Sequence, residues 1–338
     1  FTPFTLARWT GLVDEGKYPQ FDYSKAHPNF SAHYTSAYLQ DEVHLTEAYW
    51  VSPNDIEDMK YMITKYGAGT IAYYHDDYYL KEATGAYYYG GTSSPNHEVT
   101  VVGWDDNYPV ENFRSRCRPT EKGAWLVKNS YGTDYGNDGY IWISYEDKCL
   151  INEDACFFIY SDKDDYKYNY QYDGTTAFTD YAEDASSSGI YGKASMSNVY
   201  TARGDQQLKA VSFFTRQANV NYKIDVYTGL SENAQSPIEG NLVHTETGKT
   251  VYCGYRTINL NKAVNIANGE KFSVVISLTK GENVKVSFLC DTTDDMTWIK
   301  FYNKANAGES YFSRDGRTWV DVSEKQGVNF RIKALAVD

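Results

Sequence analysis

The sequence predicts an α+β first half followed by a second half that folds as an antiparallel β-sandwich. Three observations carry this expectation. At ~150 residues per domain, 338 residues make about two domains. Residues 1–160 mix one clear amphipathic helix with several strands. From about residue 174 onward, short apolar-alternating runs are separated by turn signals, the texture of a sandwich.

The helix is expected over 53–66. Ser52 suits the N-cap, Pro53 the first helical position, and Asp55 adds negative charge to the first turn. Ile56, Met59, Ile63 and Tyr66 recur every three to four residues, and Gly67 is placed to stop the helix. Strands follow at 70–74, 99–104, 125–128 and 140–145. Residues 161–173 are polar, charged and Tyr-rich with no apolar period, so they are expected to be a linker between a domain at 1–160 and one at 174–338. In the second half, Tyr222, Ile224 and Val226 alternate, as do Phe272, Val274, Ile276 and Leu278. Val284, Val286 and Phe288 follow a Lys-Gly-Glu-Asn turn. Asp315-Gly316 is a hairpin signal between Tyr311-Phe312 and Trp319-Val320, and Val328, Phe330 and Ile332 make the last strand.

Composition excludes several classes. Apolar residues at 42% and charged residues at 23% describe a globular chain. No apolar run approaches the ~20 residues of a membrane span. A net charge of −13 opposes a phosphate backbone, so no nucleic-acid partner is expected. Tyr at 33 outnumbers Phe at 15, which suits strands wet on one face. Five Cys without a C-x-x-C pair form neither a zinc site nor a thioredoxin motif. Cys149 with Cys156, and Cys253 with Cys290, are candidate disulfides, with buried free thiols the equal alternative. The start at Phe1, with no initiator Met and no signal peptide, is expected to be a cut.

Two stretches carry chemistry. One runs Ser94-Pro-Asn-His97-Glu-Val-Thr-Val-Val-Gly103-Trp-Asp. The other runs Gly123-Ala-Trp-Leu-Val-Lys-Asn129-Ser-Tyr-Gly132-Thr-Asp-Tyr-Gly-Asn-Asp-Gly139-Tyr140. A His that activates a nucleophile needs one ring nitrogen free and the other held by a fixed acceptor. An Asn oxygen at the end of a nearby strand is such an acceptor, and it adds no charge to a thiolate–imidazolium pair.

These stretches resemble the two motifs of the papain-like (C1 family) cysteine peptidases, which read roughly N-H-A-V-x-x-V-G-Y/W and W-x-x-K-N-S-W-G-x-x-W-G-x-x-G-Y. The helix at 53–66, the strand after it and Gly85-Ala-Tyr-Tyr-Tyr-Gly-Gly91 fall in the family's order. The second half resembles the lectin-like β-domain of some bacterial secreted members. The resemblance implies a papain-like fold, incomplete at its N-terminus, over residues 1–160. It implies His97 as general base and acid and Asn129 as its orienter. Tyr131 stands where the family has a shielding Trp, and Asn96 and Pro95 precede the His where substrate backbone is contacted. It also implies peptide hydrolysis, a protein or peptide substrate, no cofactor or metal, and a secreted or cell-surface location.

Two departures stand out. The family places its Cys ~130–150 residues before the His, which falls roughly 33 to 53 residues before Phe1. All five Cys follow His97, so the nucleophile is expected upstream of residue 1, on a Cys-bearing fragment of the same precursor. The opening Phe4-Thr-Leu-Ala-Arg-Trp resembles the stretch that follows the family's Cys helix. The other departure is Glu98 beside the His, expected to face a polar pocket. The alternative function is a surface adhesin or glycan-binding protein on a dead peptidase scaffold, and a transglutaminase-like acyl transferase is a weaker third. Tyr and Trp of the β-domain would stack on a glycan, although covering a sheet is their commoner use. His97-Glu98 is not a zinc-peptidase motif, because position 101 is Val. His27, His33, His44, His75 and His244 read as surface or structural. Asp105-Asp106-Asn107 and Asp162 to Asp165 read as solvated turns.

Overall fold

A computed structural model describes residues 2–14, 16, 41–183, 189–295 and 299–338, and its contacts gather into two units. One is Ala48–Ile159; the other is Phe1–Glu47 together with Tyr160–Asp338. The N-terminal segment therefore belongs with the β-rich unit, where Phe4 is buried and packs its ring 4.7 Å from that of Phe214.

The strands are numbered along the chain as β1 (Val43–Val51), β2 (Gly69–Tyr73), β3 (Leu80–Lys81), β4 (Ala86–Tyr87), β5 (His97–Asp105), β6 (Ala124–Lys128), β7 (Tyr140–Ser144) and β8 (Ala155–Asp162). Within Ala48–Ile159 the sheet order is β3-β4-β7-β6-β5-β2-β8. Neighbours are antiparallel except β4 with β7. Alternation explains β5: Val99 and Val101 are buried, while His97 is half-buried and Glu98 exposed. Fully buried Ile71, Tyr73, Trp125, Val127, Ile141 and Ile143 supply the rest of this core.

The helix runs Ile56–Tyr66 and starts three residues later than the sequence suggests. Asp55 is the N-cap, its carboxylate accepting from the Asp58 N–H at 3.2 Å. Ser52 instead closes the turn before it, accepting the Asp55 N–H on its carbonyl at 2.9 Å. The turn from Ser52 to Asp55 makes Asp55 the last non-helical residue, and its carboxylate takes the capping position. Met59, Met62 and Ile63 form the buried face, and Gly67 stops the helix at φ 86°. Asp55→Ala is expected to cost about 1 kcal/mol in urea unfolding and Ser52→Ala only a few tenths. Equal costs for the two would put the cap back at Ser52.

The second unit is the expected antiparallel sandwich. Its six-stranded sheet runs Asn241–Thr250, Val220–Leu230, Lys271–Thr279, Lys193–Thr201, Ser310–Ser313 and Val320–Asp321 in spatial order. A second set pairs Cys253–Ile266, Gln206–Thr215, Ile332–Val337 and Tyr168–Tyr170. Met196, Phe213, Ile224, Val274, Ile276 and Phe312 are among the buried apolar side chains of its core. The Asp315-Gly316 hairpin is present, with Tyr311 opposite Asp321 and Phe312 opposite Val320. The last strand begins at Ile332, later than expected, because the backbone of 329–331 bonds to Leu289 and Asp291 instead, Arg331 N–H donating to Leu289 O at 3.0 Å and Asn329 O accepting from Asp291 N–H at 3.1 Å.

Residues 161–173 differ from a linker. Tyr168–Tyr170 is a strand whose Tyr170 lies opposite Ala334, and Asp173 is buried against Arg331 and Lys333. Residues 162–165 are exposed as expected, but at the far end of the tract Asp173 and Gln171 face the buried Lys333, so polarity there does not mark exposure. All five cysteines are free thiols, so neither candidate disulfide is present. Among the described residues, no helix is long and apolar enough to cross a membrane.

Candidate active site

His97 opens β5 directly opposite Tyr73 of β2. Asn129 is the first residue after β6, and its backbone N–H donates to Gly139 O at 2.9 Å. The turn between β6 and β7 needs glycine at 136. There φ is 62°, and a Cβ would stand 2.4 Å from Tyr140 O. This Gly-rich return brings Asn129 and Tyr131 against His97.

Asn129 is 7% exposed, and its Oδ1 lies 2.8 Å from His97 Nε2. The Ser130 N–H donates to the same oxygen at 2.7 Å. That second donor fixes which end of the amide faces the ring, because a flipped Asn129 would present an N–H to an N–H. An acceptor at Nε2 requires the ring to donate there. The neutral imidazole therefore carries its proton on Nε2 and leaves Nδ1 as a free base. A ring so held can take a proton at Nδ1 from a nucleophile and return it to a leaving group.

Tyr131 stacks on His97, ring centroids 4.8 Å apart and planes 16° from parallel, while its outer side keeps the residue 47% exposed. Buried Tyr73 meets the His97 ring edge-on at 5.8 Å. The two rings limit the imidazole's rotation from different sides. Asn96 is exposed at its side chain yet is not free. Its Oδ1 accepts the His75 N–H at 2.6 Å, and its Nδ2 donates to His75 O at 3.1 Å. Pro95 is half-buried, ahead of the strand. Glu98 is exposed; strand alternation turns it away from the buried face on which Val99 and Val101 lie.

Sequence reasoning missed His75. Its ring centroid lies 5.5 Å from that of His97 and 5.2 Å from that of Tyr131. The Tyr73 hydroxyl is 2.9 Å from His75 Nδ1, and Asp77 Oδ1 is 3.7 Å from its Nε2. Burial is the main cause holding its pKa below the usual His range, and the neighbouring His97 acts the same way, against Asp77 and Asp76. The only signal available in advance was Tyr73, two residues before it, whose register opposite His97 requires the sheet pairing to be known. Of the other histidines, His44 pairs with Asp41 and His244 is buried; His27 and His33 lie outside the described residues. The Asp105 and Asp162 carboxylates cap their own turns, accepting from the Asn107 and Asp164 N–H groups at 2.8 and 2.9 Å.

None of three buried cysteines has the character of an activated thiol. Burial pushes the Cys149 thiol up to about 11, and those of Cys156 and Cys290 up to about 12. A nucleophilic thiol requires the opposite shift.

Comparison with known proteins is consistent with this geometry. Residues 3–159 match the papain family of cysteine proteases, and residues 168–336 match the lectin-like domain family. The chain superposes on the clostridial cysteine protease Cwp84 after propeptide cleavage with a TM-score of 0.80 and 26% identity, covering 99% of this chain and 80% of that one. It also superposes on the cysteine protease and lectin-like domains of Cwp84, a surface layer associated protein of Clostridium difficile. There the TM-score is 0.78 at 26% identity, over 98% of this chain and 72% of that one.

Proposed function

From the match of residues 3–159 to the papain family of cysteine proteases and of residues 168–336 to the lectin-like domain family, we propose that the chain hydrolyses peptide bonds with His97 and Asn129 as its acid–base machinery. The observation that carries this reading is the 2.8 Å bond from His97 Nε2 to an Asn129 oxygen that Ser130 locks in place. The nucleophile we propose is a cysteine on a segment outside these residues. The buried thiols at 149, 156 and 290 support that placement, since their raised pKa values keep them protonated.

In this mechanism the cysteine thiol passes its proton to Nδ1 of His97. The thiolate attacks the peptide carbonyl carbon, and the imidazolium returns the proton to the leaving amine as the C–N bond breaks. His97 then takes a proton from water, whose oxygen attacks the thioester and releases the carboxylic acid and the thiol. Asn129 holds the ring's tautomer through both steps, and Tyr131 covers one face of the ring. Asn96 and Pro95, preceding His97, are the proposed contacts to substrate backbone. Cwp84 is described as surface layer associated, and by that likeness we place this protein outside the cell, with the lectin-like domain as the part that would hold a glycan.

The test is an intact-mass experiment on the protein expressed from its complete gene, with and without an epoxysuccinyl thiol probe. Probe mass gained on a segment outside residues 1–338, and lost in His97→Ala, supports the reading. No uptake by any segment of the folded protein would refute it and favour a binding protein on an inactive scaffold.

A further inference from the structure

His75 stands beside His97 with no part in the mechanism above, yet its surroundings are specific. The Asn96 side chain grips the backbone of residue 75 on both its N–H and its carbonyl, so the ring's position is set independently of what the ring bonds. Its Nδ1 faces the hydroxyl of Tyr73, which is buried. On the ring's other side stands the Asp77 carboxylate, which can only accept, so the ring's proton belongs on Nε2 and Nδ1 is left to accept from the Tyr73 hydroxyl. Among the described residues, the other titratable groups facing the ring are Asp76 on the same loop, His97 from β5, and Tyr131 and Tyr135 from the β6–β7 turn, with Tyr135 donating to Asp77 at 3.2 Å.

We propose that His75 is a positioning residue of the site, kept neutral by the Tyr73 hydroxyl on its Nδ1 so that His97 can carry the positive charge of the catalytic cycle without a like charge beside it. The argument is geometric. Protonating His75 means placing a hydrogen on Nδ1, where the Tyr73 hydrogen already lies. It also puts a second cation with its ring centroid 5.5 Å from that of His97. At that separation, even in water-like surroundings, one unit charge moves its neighbour's titration by about half a pH unit. Asp77 and Asp76 pull the other way and set how acidic the medium must become before His75 charges. Its meaning for catalysis rests on the peptidase reading of His97; the charge coupling itself does not.

The test follows the His75 ring by two-dimensional ¹H–¹⁵N NMR through a pH titration of this chain. His97→Gln is expected to raise the His75 midpoint by about half a pH unit, and Tyr73→Phe to raise it by at least as much. Asp77→Asn is expected to lower it. A His75 midpoint that stays put in both His97→Gln and Tyr73→Phe would overturn the proposal, because a merely structural His would behave that way. In the enzyme with its cysteine present, Tyr73→Phe should move the acid limb of kcat/KM to higher pH. An unmoved limb, with the NMR coupling intact, would equally remove the positioning role. An inactive wild-type enzyme would count against the peptidase reading and leave the titration result standing.

Discussion

His97→Ala, made in the enzyme with its cysteine present, is expected to lower kcat/KM by on the order of 10⁴-fold or more, and Asn129→Ala by on the order of 10²-fold. The difference follows from what each group does. His97 Nδ1 receives and returns the proton in both halves of the reaction, and no other base in the site has that atom available. The nearest candidate, His75, has its Nδ1 occupied by the Tyr73 hydroxyl at 2.9 Å. Asn129 transfers nothing; it selects the tautomer and the ring plane. Without it, Tyr131 stacked at 4.8 Å and Tyr73 edge-on at 5.8 Å still restrain the ring, so part of the population remains productive. Substrate binding should change little in either variant, so the loss appears in kcat. Rates of substrate hydrolysis against concentration check this. A silent Asn129→Ala would remove Asn129 from its role, and a KM-dominated loss would make it a binding residue.

The pair His97–Asn129 was legible because it is written locally. A His at the head of one strand and an Asn at the foot of a later one, followed by Gly132, Gly136 and Gly139, constrain each other through a short antiparallel register, Thr100 opposite Lys128. The helix was legible for a similar reason, though its start was not: Ser52 and Asp55 both offer cap chemistry, and only the backbone path decides between them. What escaped the sequence depends on distant partners. His75 matters because β2 pairs with β5, which sets Tyr73 against His97. The tract 161–173 read as a linker because its polar residues were counted as solvent-facing. Asp173 has partners 158 and 160 residues away, and no local period signals them. Buried polar networks are the hardest feature to read from one sequence, since each member looks like a surface residue until its counter-charge is placed.

That network gives the other large expected effect. Asp173→Asn should destabilise the β-rich unit by about 3–5 kcal/mol at pH 7, the range for breaking a buried ion pair from one side. Asp173 and Arg331 are each 1% exposed at the side chain and Lys333 is 0% exposed. The Asp173 Oδ2 accepts from Arg331 at 3.0 Å and from Lys333 at 2.7 Å, so one carboxylate balances two cations. Arg331 has further partners, the carbonyls of Thr175 and Ala177, and its guanidinium carbon lies 4.8 Å from the Phe4 ring centroid. Among the described residues, Lys333 otherwise bonds the Gln171 amide oxygen alone. In the variant it is therefore Lys333 that carries an uncompensated charge. Burial already holds the Lys333 pKa below the ordinary value for Lys, with Asp173 as the main opposing influence. Removing Asp173 lowers it further. The unfolded chain then binds more protons than the folded one at any pH between the folded and unfolded values of Lys333. Stability rises with pH across that window and is lost as pH falls through it. The deficit of Asp173→Asn relative to wild type should thus be larger at pH 7 than at pH 9. Urea unfolding at both values measures it, with Lys333→Met as the companion. Lys333→Met removes one of the two cations, so placed on the Asp173→Asn background it should recover part of the loss. A deficit that is the same at both pH values and untouched by Lys333→Met would mean that Asp173 stabilises the strand through packing alone, with its charge playing no part.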